Sequence, residues 1–160
     1  MTRRVAFVVF SGFQILDATG PIAVFDLAAR FVPEAYAIEI MAIGGGLVQS
    51  SSGLAVLTTA LSHGPFDTIV LVGGGLRGDF AEVGPIVEWV GREARQARRI
   101  TSVCSGAYFL AQAGLLDGRR ATTHWSACNV FAKQYPAVRL EPDRIYIQDG
   151  PVWTSGGITA

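Results

Sequence analysis

Apolar positions in this chain fall into short unbroken runs that end on glycine, and between the runs they recur at helical spacing. Residues 5–10 are continuously apolar and rich in β-branched and aromatic side chains, the pattern of a strand buried on both faces. Ser11 and Gly12 end that run. Residues 16–30 then carry Leu16, Ile22, Ala23, Phe25 and Leu27 at helical spacing, with Phe31 continuing the pattern and Pro21 near the start. Residues 36–43 alternate and predict a second strand closed by Gly44, Gly45 and Gly46, and residues 49–59 predict a short hairpin or edge strand. Residues 67–72 predict a third buried strand. An amphipathic helix follows over 85–97, with Ile86, Val87, Trp89 and Val90 inward and Arg92, Glu93, Arg95 and Arg98 outward. Residues 100–103 form another apolar run that stops at Cys104 and turns at once into a helix over 107–113 ended by Gly114. A short strand over 119–123 leads to a helix over 125–134, with Thr123 as its N-cap and Val130 and Phe131 inward. Residues 138–140, 145–147 and 152–154 read as a small antiparallel extension, and 156–160 as the start of a further helix. This succession predicts one α/β domain, a flavodoxin-like three-layer α/β/α sandwich with a mostly parallel sheet.

Composition sharpens that picture. Half of the 160 residues are hydrophobic and 16% are charged, the balance of a sheet covered on both faces. The formal net charge is zero, so these residues offer no electrostatic footprint for nucleic acid. The apolar run after Arg3 and Arg4 is too short for export or for spanning a membrane. Two cysteines far apart, Cys104 and Cys128, make no disulfide framework, and a reduced, cytoplasmic protein is expected. With two histidines, their spacing matches no zinc pattern; no metal and no cofactor is expected.

The candidate chemistry gathers at the carboxyl ends of the predicted strands, where open α/β sheets bind ligands. Cys104 sits at a strand-to-helix junction whose unpaired amides and dipole favour a thiolate, and Ser105 and Gly106 are small enough for the tight turn. Such a thiolate should oxidise ahead of Cys128, a small core residue within the helix that follows. Asp17 falls just after the first strand. Gly73, Gly74 and Gly75 open a stretch that satisfies G-x-G-x-x-G by letter. The unit is not the first of the fold, Gly84 and Pro85 delay its helix, and Glu93 falls inside a helix, so a dinucleotide site is disfavoured. Close backbone approach to Cys104, with amides forming half of an oxyanion hole, is the expected role of these glycines. His124 opens a helix and serves either the pocket or a nearby carbonyl. His63 is a loop residue.

The stretch from Val103 through Cys104, Ser105 and Gly106 to Thr122, Thr123, His124 and Trp125 resembles the PfpI/DJ superfamily, also called class I glutamine amidotransferase-like. More narrowly, it is similar to the amino-terminal sensing domain of AraC-type transcription regulators. The segments around Leu16–Pro21, Val72–Gly75 and 143–160 match the same branch, and the Leu16–Pro21 motif is shared with isocyanide hydratases. The resemblance implies that Cys104 is the elbow nucleophile, Asp17 the acid in contact with it, and His124 the neighbour of the elbow. Asp17, Gly73, Gly74, Gly75, Cys104, Ser105 and His124 would then surround a small-molecule ligand. Ser105 stands where peptidase-like members have histidine, which argues against a Cys-His protease. The resemblance further implies a homodimer, and a domain (1–160) that is C-terminally truncated, lacking a final helix and a DNA-binding helix-turn-helix domain. Two functions remain open: a ligand-sensing, dimerising domain of a regulator that reaches DNA only through that missing domain, and a cysteine-dependent hydratase using Cys104 and Asp17.

Overall fold

The computed structural model describes residues 2–75 and 84–158. The continuous apolar run becomes β1 (Arg3–Val8), whose last four residues are fully buried because β2 (Tyr36–Ala42) and β5 (Thr68–Leu71) flank it in parallel. An eight-stranded sheet runs in the order β3-β4-β2-β1-β5-β6-β10-β9, where β3 is Gly44–Gln49, β4 Ala55–Ala60, β6 Arg99–Val103, β9 Tyr146–Asp149 and β10 Val152–Ser155. All neighbours are parallel except β3 with β4 and β9 with β10. On one face lies α1 (Ile15–Phe31), where Phe25 meets Phe7 of β1 and Tyr36 of β2 edge-on at 6.0 and 4.9 Å. On the other face Phe10 packs on Phe109 of α3 (Ala107–Gln112), beside α2 (Gly84–Glu93). Tyr108 of α3 carries the packing on to Phe131 of α4 (Cys128–Gln134) at 4.9 Å. The fold is the expected flavodoxin-like, mostly parallel α/β arrangement.

Several local expectations are corrected. Gly44, Gly45 and Gly46 do not close a strand but begin β3, in which Gly45 and Gly46 take positive φ. A Cβ on Gly45 would lie 2.8 Å from the Ala60 amide nitrogen, so the glycine serves close strand approach. The C-terminal segments are not a separate antiparallel extension: β10 joins the main sheet in parallel beside β6, and only β9 runs back against it. Arg120–Ala121 (β7) and Arg139–Leu140 (β8) form their own two-stranded parallel pair. Leu16, Leu27 and Phe31 of α1 and Val130 of α4 are exposed, although their periodicity suggested burial. Residues 76–78 of the glycine-rich stretch, and the end of the helix expected over 156–160, lie outside the described residues. Among the described residues, no helix is long and apolar enough to cross a membrane.

Candidate functional site

Three strand ends converge on Cys104. It leaves β6 and opens a single 3₁₀ turn, Cys104–Gly106, with φ +58, a left-handed conformation that a side chain rarely adopts. Such a backbone costs on the order of 1–3 kcal/mol and persists only where the surroundings over-determine it. Here they do. A Cβ on Gly73, just past β5, would stand 2.7 Å from the Cys104 Cβ, and one on Gly157, after β10, would stand 2.5 Å from it. Thr123 Oγ1 donates to the Cys104 carbonyl at 3.0 Å from within the core. Gly106 is pressed so closely on the carbonyl of Leu71 that no side chain fits.

The glycine loop is tied down as well. Ser105 Oγ accepts from the Gly74 amide at 2.9 Å and donates to the Gly74 carbonyl at 2.8 Å. The Gly75 amide reaches the Gly12 carbonyl at 3.4 Å, and the Gly73 carbonyl accepts from the Gln14 amide at 2.9 Å. The expectation that this loop offers free amides to an oxyanion is therefore corrected for Gly74 and Gly75, whose N–H groups are spent inside the structure. The Ser105 amide does point at the Cys104 sulfur.

Asp17 lies in the first turn of α1, 2% exposed, and its side chain is hydrogen-bonded to Cys104. Burial raises its pKa, while Cys104, His124 and the Ile158 amide oppose the rise. Its Oδ2 is buried with no hydrogen-bond partner among the described residues. Burial, then the Asp17 charge, pushes the Cys104 thiol up to about 12. This reverses the expected thiolate. The turn that opens at Cys104 is a single 3₁₀ turn and α3 has only six residues, so its dipole is short, and a carboxylate faces the same sulfur. One proton is shared where two charges would repel.

The thiol forms part of the wall of an open cavity of about 420 Å³ that also holds Gln14, Gly75, Ser105, Tyr108, His124 and Val130. No Lys or Arg is among its described lining residues. His124 reaches this cavity while its Nδ1 accepts from the Ser126 amide at 3.3 Å and contacts Ser126 Oγ at 2.8 Å. His124, not Thr123, is thus the N-cap of the turn Trp125–Ala127, because Thr123 is engaged at the elbow carbonyl. The structure brings Asp17, Gly73, Gly74, Gly75, Cys104, Ser105 and His124 together. His63 lies elsewhere, on Glu93 at 2.9 Å, and Cys128 is buried in α4. Sequence reasoning missed Thr123 and Gly157 as supports of the elbow. The double Thr before His124 and the glycine pair at 156–157 were the available signals.

Comparison with known proteins follows the same geometry. The chain is 36% identical over its full length to isonitrile hydratase of Pseudomonas putida, spanning 68% of that protein. It is 31% identical over its full length to the HTH-type transcriptional regulator CdhR of Pseudomonas aeruginosa, spanning 48% of it. The structure of an AraC family transcriptional regulator from Pseudomonas putida superposes with a TM-score of 0.82 at 22% identity, over 97% of this chain and 84% of that one, a likeness of fold. Residues 3–160 match the DJ-1/PfpI family, and the chain belongs to it.

Proposed function

We propose that this chain is the ligand-sensing, dimerising domain of a cytoplasmic transcription regulator. It holds a small molecule in the cavity beside Cys104 and acts on DNA through a segment outside these 160 residues. The observation that carries the reading is the state of the elbow. A thiol pushed to about 12 by burial and by Asp17 is a poor resting nucleophile, and no Lys or Arg among the described lining residues offsets it. A pocket in that condition is suited to holding a ligand. The regulator CdhR, matched across this whole chain but over only about half of its own length, agrees with a module of this kind.

A second reading is favoured by the 36% identity to isonitrile hydratase and by the Asp17–Cys104 contact. In it the Cys104 sulfur bonds to the isocyanide carbon and the thiol proton passes through Asp17 to that same carbon. Water then adds at the carbon, displaces the sulfur and leaves a formamide with the thiol restored. Incubation with cyclohexyl isocyanide, followed by NMR, separates the two. The sensing reading expects no more formamide than a Cys104→Ala variant produces. Sustained formation that disappears in Cys104→Ala would overturn it and make the protein a hydratase.

A further inference from the structure

Most polar groups in the wall of the cavity beside Cys104 are already engaged within the fold. Ser105 Oγ and the Gly74 and Gly75 amides hold the glycine loop, the Cys104 thiol is hydrogen-bonded to Asp17, and Ser126 Oγ meets His124 Nδ1. Gln14 and Ser51 differ. They reach the cavity from adjoining segments, because Phe13 and Ser50 pair as a parallel bridge and the Ser51 amide donates to the Phe13 carbonyl at 2.9 Å. The Gln14 side chain is oriented from behind: its Oε1 accepts from the Leu16 amide at 3.4 Å, as the N-cap of α1. A backbone N–H can only donate, so the atom facing it is the oxygen and the NH2 group points elsewhere. Among the described residues, Gln14 Nε2 and Ser51 Oγ meet no hydrogen-bond partner.

We infer that Gln14 and Ser51 read the head group of the small molecule held in this cavity, and that this head is a neutral carboxamide. The inference rests on the proposed sensing role of the cavity and names the class of ligand. A carboxamide carries an acceptor oxygen and a donor N–H in one plane, the complement of a side-chain NH2 beside a hydroxyl. A carboxylate would accept from the same two groups, but it would leave water for a wall in which no described residue is Lys or Arg, and in which the Cys104 thiol already adjoins a buried acid. Ala127 and Val130, three residues apart on α4 and the turn before it, line the cavity together with Ile158. These side chains suit a hydrocarbon body, and about 420 Å³ is in the range of small-molecule sites.

Ligand-detected NMR titration of the whole protein with cyclohexanecarboxamide, cyclohexanecarboxylate and cyclohexylmethylamine tests the assignment. Wild type is expected to bind the carboxamide at least ~10-fold more tightly than either ion. Gln14→Glu keeps the oxygen that caps α1 and exchanges the NH2 for a second oxygen. It should lose at least ~10-fold in affinity for the carboxamide and come to prefer the amine, with its thermal melt retained. A merely structural role for Gln14 would not reverse that preference. Val130→Trp, which fills the cavity from α4, should abolish binding of the carboxamide. A wild type that binds none of the three, or prefers the carboxylate, overturns the head group. Carboxamide affinity left unchanged by Gln14→Glu, or by Val130→Trp, overturns the role of Gln14 or the place of binding. The sensing reading fails separately, by Cys104-dependent turnover of cyclohexyl isocyanide, whatever the order of these affinities.

Discussion

Gly106→Ala is expected to lower the stability of the chain by about 3 kcal/mol or more, a large part of what a domain of this size has in total. Gly106 ends the turn that begins at Cys104, and a Cβ there would overlap the carbonyl of Leu71 in the neighbouring strand, with the Val72 carbonyl carbon 3.3 Å from it. The obstructing atoms are backbone atoms of a central strand whose residues are buried, so neither side can retreat without breaking the β5–β6 pairing. Backbone conformation is not the cause, because Gly106 has φ −56. Gly91→Ala is the control: Gly91 lies inside α2, and its new Cβ would meet only the Ala113 Cβ at 3.9 Å, an ordinary contact. That change should stabilise by about 1 kcal/mol through helix propensity alone. Urea unfolding of both variants measures the difference. Equal stabilities would show that β5 gives way easily and that the elbow is not the rigid junction described.

Why the elbow was legible in the sequence, while its protonation was not, follows from what each depends on. The strand, the sharp turn and the helix are local: an apolar run ending at Cys104, two small residues, and Gly114, with φ +72, ending the helix as a left-handed residue should. The convergence of Asp17 and Gly73 on Cys104 was also readable, because each follows a buried run and parallel strands gather their carboxyl ends. The thiol's pKa depends instead on how far burial and a carboxylate from another element outweigh a short helix, and no spacing encodes that balance. The hydrogen bonds of Ser105 to Gly74 and of Thr123 to the Cys104 carbonyl are likewise contacts across elements, invisible to a reading along the chain. The periodicity of α1 misled for a related reason. It marks apolar positions without saying which partner buries them, and the stripe at Leu16, Val24, Leu27 and Phe31 has none within the described chain.

Asp17→Asn is expected to make Cys104 more reactive, not less. Both the charge of Asp17 and its hydrogen bond raise the cysteine's pKa, second to burial, and Asn removes the charge while preserving shape. The thiol should fall from about 12 towards its ordinary value, with burial still holding it somewhat high. Each unit recovered is about tenfold in thiolate at fixed pH, so alkylation of Cys104 by iodoacetamide at pH 8 should accelerate by at least ~10-fold, with Cys128 as the internal reference. Stability moves in a linked direction. The folded-state pKa of Asp17 is raised by burial, so its protonated form is the one that folding favours. Its contribution is fully present below the ordinary carboxylate value and is lost as pH rises through the higher folded value. At neutral pH the wild type therefore carries the cost of a buried carboxylate with an unpartnered Oδ2, and the Asn variant should melt at an equal or higher temperature. The two readouts together decide where the shared proton rests. Slower alkylation in the Asn variant, with a lower melting temperature, would mean that Asp17 is a neutral acid donating to a Cys104 thiolate. The site would then be a poised nucleophile with its proton source in place, and the hydratase reading would take precedence over the sensing one.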